Sequence, residues 1–114
     1  MADDVVLINV EEGSKRVVNN TKLYAKLLAK FMEDPSFNNI GIALAEGNIE
    51  SAKGHTHTLK GLAANLSLSE LYKQCVELEV QIKSGSVKPE QVACVNNVYA
   101  QTIIEVEKVI AQYA

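Results

Sequence analysis

Tryptophan is absent from this chain, and two phenylalanines and four tyrosines are its only aromatic side chains. So few rings cannot form a stacking platform for single-stranded nucleic acid. A formal net charge of −3 argues against a basic phosphate-binding surface, so no nucleic-acid partner is expected. No apolar run approaches the roughly 20 residues that cross a bilayer, and no membrane partner is expected either. The first residues, Met1-Ala2-Asp3-Asp4, are acidic where a secretory signal is basic, so the expected location is the cytoplasm. Cys75 and Cys94 lack CxxC or other metal-ligand spacing. They are expected to be reduced thiols packed in or near the core, with no metal site. Neither a P-loop nor a glycine-rich kinase loop is present, so the chain is not expected to phosphorylate itself from ATP. No convincing alternation of period two occurs, which leaves little room for strands.

What remains is helical periodicity along nearly the whole sequence. At 114 residues and 47% apolar, the chain suits one domain, residues 1–114, with a single modest core. A short helix is expected after Asn9, with Glu12 completing a capping-box-like pattern. A second begins near Asn20, carries Leu23, Leu27, Leu28 and Phe31 on its stripe, and stops before Pro35. A short helix follows over 37–46, ended by Gly47, with Asn48 as the next N-cap. From Ile49 to about Leu66, the residues Ile49, Ala52, Thr56, Leu59, Ala63 and Leu66 recur at spacings of three and four. Leu68, Leu71, Cys75, Leu78 and Ile82 repeat that pattern until Ser84-Gly85. Pro89 suits the first turn of a last helix, with Val92, Val95, Tyr99, Ile103, Val106 and Ile110 as its stripe. Amphipathic helices with short connections predict an all-α fold, an antiparallel four-helix bundle with one or two short additional helices.

The helix over 49–66 carries a second pattern on its other face. A helix turns about 100° per residue, so residues three and four apart are neighbours. Gly54, Lys60 and Gly61 therefore flank His57, which lies nearly opposite Leu66 and points outward. A mid-helix glycine costs roughly 1 kcal/mol relative to alanine. Two of them beside one histidine suggest close approach by another molecule, and the lysine suggests that this molecule is negative. Lys53 lies on the same side and reads as surface. His55 points about 200° away from His57, so the two cannot chelate a metal together; it reads as a partly buried, hydrogen-bonded histidine. Glu79 and Lys83, on the next helix, stand at a height that can approach His57. They read equally well as a surface pair four residues apart or as a second layer around the site.

His57-Thr58-Leu59-Lys60-Gly61-Leu62-Ala63-Ala64-Asn65-Leu66, followed by Leu71 and Leu78-Glu79, resembles the histidine-containing phosphotransfer (HPt) domain of two-component phosphorelays. The resemblance extends upstream through Val10-Glu11-Glu12-Gly13 with Arg16, and through Leu23-Tyr24 and Leu27 to Phe31. Two positions depart from the family pattern. Ser67 stands where the family usually has a glycine that helps to end the histidine helix, and Thr56 stands where alanine is common.

The resemblance implies a phosphotransfer intermediate, not an enzyme with its own ATP site. His57 would be the phosphoacceptor, with Lys60, Gly61 and Gly54 next to the phosphoryl group. It would take the group from a receiver-domain aspartate or a hybrid sensor histidine kinase and pass it to a response-regulator aspartate. A free imidazole titrates near 6.5, so an exposed one is mostly a neutral nucleophile at neutral pH. No cofactor is expected in this chain; Mg²⁺ would come from the receiver domain. A monomer is expected. Two other readings fit the same residues: a module that binds or sequesters a receiver without being phosphorylated, and the N-terminal phosphotransfer domain of a larger histidine kinase. The presence of both His57 and Lys60 argues against the first, since a scaffold does not require both.

Overall fold

The computed structural model describes residues 6–113; the acidic start Met1–Asp4 lies outside them. Six helices follow one another among the described residues: α1 (Val10–Lys15), α2 (Thr21–Met32), α3 (Ser36–Ala45), α4 (Ile49–Asn65), α5 (Ser69–Ser84) and α6 (Pro89–Tyr113). None is long and apolar enough to cross a membrane. The fold is an all-α bundle. α4 packs between α3 and α5, and α6 packs between α5 and α2. α2 and α3 follow one another through a short connection that ends at Pro35. Phe31 at the end of α2 and Phe37 at the start of α3 both meet Tyr99 on α6, the second as a parallel stack with centroids 3.8 Å apart.

Local chemistry sets the helix starts. The side-chain oxygens of Asn9, Asn20 and Asn48 accept from the backbone N–H groups of Glu12, Leu23 and Ser51, satisfying donors that a helix start leaves free. α3 and α4 end alike: the chain turns left-handed at Gly47 (φ +70°) and at Ser67 (φ +58°). In each case two backbone N–H groups fold back on the last turn, Asn48 to Ala43 and Leu68 to Ala63 being the longer links. Ser67 therefore occupies a left-handed position that glycine fills without steric cost. Its side chain is held by other means. The hydroxyl donates to Glu12 Oε1 at 2.7 Å and accepts from Arg16. Arg16 Nη1 also donates to the Asn65 carbonyl, and the buried Tyr24 hydroxyl donates to the Leu66 carbonyl. α1 and α2 thus clamp the turn from α4 to α5.

The core is built from Leu28, Leu59, Leu68, Leu71, Leu78, Ile82 and Val106, all buried, with Tyr24, Ala52, Ala63 and Cys75 filling between them. Two buried hydroxyls are satisfied within their own helices, Thr56 Oγ1 on Ala52 O and Thr102 Oγ1 on Val98 O. Thr56 therefore brings no unmet polar group into the core.

Four expectations need correction. Leu23 is exposed, and Tyr24 takes its place inside, because α2 turns its Tyr24–Leu28–Phe31 face to the bundle. Ile49, in the first turn of α4, projects past the packed region and is exposed. On α6 the expected Ile103 and Ile110 pack against the core as partly buried residues, but Thr102 and Val109, which the stripe left out, lie deeper. Cys75 is buried as expected, but Cys94 is exposed.

Candidate functional site

α4 and α5 lie side by side, and this contact assembles the site. Thr56 and Leu59 face the core, which turns His57 outward, with 71% of its side-chain surface exposed. Gly54 and Gly61 are both exposed, and a Cβ built on either would meet nothing within 4 Å. Neither glycine is demanded by packing. At these two positions beside the imidazole the outer face of α4 carries no side chain.

Glu79 is the residue whose position the sequence pattern left open. On α5 it falls four residues after Cys75 and next to Leu78, at the margin of the buried stripe, and only 7% of its side chain is exposed. Its carboxylate reaches across to α4. Oε1 accepts from Lys60 Nζ at 2.6 Å, and Oε2 lies 3.2 Å from His57 Nδ1. A buried carboxylate is unfavourable unless it is paired and hydrogen-bonded, and here both oxygens are used. The hydrogen bond from Lys60 holds the Glu79 carboxyl below its ordinary range, against burial, which pushes it up; the contact with His57 lowers it further. Lys60 is correspondingly raised, first by that same hydrogen bond.

Ionised Glu79 can only accept. His57 Nδ1 must then be the donor, and in the neutral ring the remaining lone pair sits on Nε2. The structure thus presents an exposed imidazole with its inner nitrogen tethered; in the neutral ring this tether places the lone pair on the outer nitrogen. That arrangement suits a nucleophile aimed at a group arriving from solvent.

Lys83 is exposed and makes no ion pair with Glu79, so the surface-pair reading of these two residues is corrected. Glu79 turns inward to Lys60 and His57, while Lys83 borders an open cleft with Lys53, Gly54, His57 and Glu79. Lys53 lies 3.5 Å from Glu50 on the exposed side of the helix. His55 is half-buried on another face of α4; among the described residues no side-chain hydrogen bond holds it, so that part of its expected role is also corrected. Among the described residues no group of three or more His, Cys, Asp or Glu stands together as a metal-binding cluster.

Comparison with known proteins gives one finding. The family model described as "Hpt domain" matches residues 23–112, from the first turn of α2 to the end of α6. Nothing among curated proteins or solved structures matches the chain.

Proposed function

The chain belongs to the Hpt domain family, whose members act in histidine phosphotransfer in two-component signalling, and from that premise we propose that His57 Nε2 carries the phosphoryl group between receiver domains. Hpt domains interact with receiver domains and histidine kinases and lack an ATP site of their own. The single observation that carries the reading for this chain is the contact of Glu79 with His57 Nδ1 on an exposed ring, which in the neutral imidazole leaves the lone pair on Nε2.

The transfer follows from that geometry. The Nε2 lone pair attacks the phosphorus of a receiver's aspartyl phosphate. The N–P bond forms as the P–O bond to the aspartate breaks, and its electron pair leaves on the carboxylate. No proton has to leave Nε2, because the tautomer has already placed it on Nδ1. The ring becomes positive as the bond forms, and the Glu79 carboxylate beside Nδ1–H stabilises that charge. Passing the group to a second receiver reverses each step. Phosphoryl transfer depends mainly on alignment and charge stabilisation. The fixed ring and the bare helix face beside it supply the alignment.

The one carboxylate beside His57 is committed to Lys60, so we assign Mg²⁺ to the receiver. The partners are response-regulator receiver domains, a hybrid sensor histidine kinase or both, and the protein acts as a cytoplasmic monomer without kinase activity of its own. The test is incubation with a labelled, phosphorylated receiver. His57→Gln should accept no label, while His55→Gln should still accept it. Label retained by His57→Gln would remove His57 from the mechanism.

A further inference from the structure

Lys60 is the cation that spacing places beside the phosphoryl group, yet its ammonium is already committed. It lies 2.6 Å from Glu79 Oε1, and Glu79 is buried. Swinging Lys60 out to a phosphoryl group would leave that carboxylate with the imidazole alone, and losing one partner of a buried charge is costly.

Two other ammonium groups are better placed. Lys53 lies one turn before His57 on α4, and Lys83 lies one turn beyond Glu79 on α5. With Gly54, His57 and Glu79 they line an open cleft of about 330 Å³. Among the described residues Lys83 makes no ion pair, and of the groups that lower the Glu79 carboxyl its charge acts least. Lys53 meets only Glu50, which is 84% exposed, at 3.5 Å. Such a surface pair is worth little and is easily exchanged for a stronger anion. Gly54 presents no Cβ to the space around it. The two lysines come from different helices and border the same cleft as the imidazole.

Resting on the phosphotransfer reading, we propose that Lys53 and Lys83 are the cations that face the phosphoryl group on His57, and that Lys60 instead serves as the counter-ion of Glu79. The division of labour is chemical. One lysine keeps the positioning carboxylate ionised in both states of the protein. The other two neutralise a dianion that exists only after transfer, when the receiver and its metal ion have left.

The experiment uses the full chain carrying His55→Gln, so that His57 is the one remaining imidazole. Phosphoramidate supplies the phosphoryl group with ammonia leaving, and no receiver is needed. The last ionisation of the phosphoryl group is followed by its ³¹P shift against pH. Facing cations favour the dianion, so Lys53→Gln combined with Lys83→Gln should raise that pKa by about half a unit, the scale of an exposed charge pair. Lys60→Gln should raise it less. A shift in the double variant equal to or smaller than that in Lys60→Gln overturns the proposal, because Lys60 would then be the facing cation. Circular dichroism on each variant confirms the helical fold. Transfer from a phosphorylated receiver is run in parallel. A wild-type chain that takes no label there defeats the relay reading, while the ³¹P titration still decides which lysines face the group.

Discussion

Lys60 and Glu79, nineteen residues apart in sequence, form the shortest ion pair among the described residues, Nζ to Oε1 at 2.6 Å. This contact couples α4 to α5 at the height of His57 and fixes the carboxylate that fixes the ring. Glu79→Gln keeps the shape but removes the charge and the obligate acceptor, so His57 Nδ1 no longer has to be the donor. A hydrogen bond to a charged group is worth about 1.5–3 kcal/mol, so transfer to Glu79→Gln should slow roughly ten- to a hundredfold. Rapid-quench transfer from one phosphorylated receiver measures this; a wild-type rate would show that the tether does not prepare the ring.

The same pair predicts an acid limb. Glu79 has a folded pKa below its ordinary value of 4.5, chiefly through Lys60. The unfolded chain then takes up the proton first. The stabilisation is therefore present above pH 4.5 and is lost as pH falls through the lowered folded value. Urea midpoints of the wild-type protein should fall below pH 4.5, and those of Glu79→Gln should fall less. Superimposable acid limbs would mean that Glu79 contributes nothing to the pH dependence.

Much of this was legible in the sequence, and the reasons are physical. The Asn caps, Gly47, Gly85 and Pro89 act locally, so they mark helix ends wherever the rest of the chain goes. The outward angle of His57 also follows from helix geometry alone. The bond from Glu79 did not, because it depends on how α5 rotates against α4. The signal was partial: Glu79 sits beside Leu78 and one turn after Cys75, at the edge of an apolar stripe, where a carboxylate needs a partner. Tyr24 illustrates the same limit. Leu23 and Tyr24 are adjacent, and which of them enters the core is settled by the carbonyl of Leu66, 42 residues away.

Ser67 should separate backbone strain from side-chain bonding. Ser67→Ala keeps a non-glycine residue at φ +58° and loses the bonds to Glu12 and Arg16. Ser67→Gly loses the same bonds but removes the left-handed penalty of about 1 kcal/mol. Denaturant melts should therefore rank Ser67→Ala below Ser67→Gly by about that amount. Equal stabilities would show that the turn carries no such strain.

An alkaline limb follows from two buried groups. Burial raises the Cys75 thiol from 9.0 to about 12, and the Tyr24 hydroxyl from 10.0 to about 12. The unfolded chain loses these protons first, so the stabilisation is complete below pH 9 and is lost as pH rises towards 12. Lys60, also raised, adds to the loss above 10.5. Cys75→Ala should delay the onset from about pH 9 to about pH 10 in urea midpoints taken across pH 8–11. An unmoved onset would show that the thiol does not contribute.

Gly61 decides whether the open face of α4 is reserved for a partner. It lies one turn beyond His57, and a Cβ there would touch nothing within 4 Å of the folded chain. Packing therefore gives no reason for a glycine, and helix propensity gives a reason against one. Gly61→Ala should gain up to roughly 1 kcal/mol in a thermal or chemical melt. Gly61→Gln should also fold, because its side chain enters solvent, but it should project into the space that a receiver must occupy to bring its aspartyl phosphate to Nε2. Transfer should then fall while stability holds or rises. The two variants measured together separate the causes: Gly61→Gln transferring at the wild-type rate would show that the space is not used, and Gly61→Gln failing to fold would place this face in a packing contact instead.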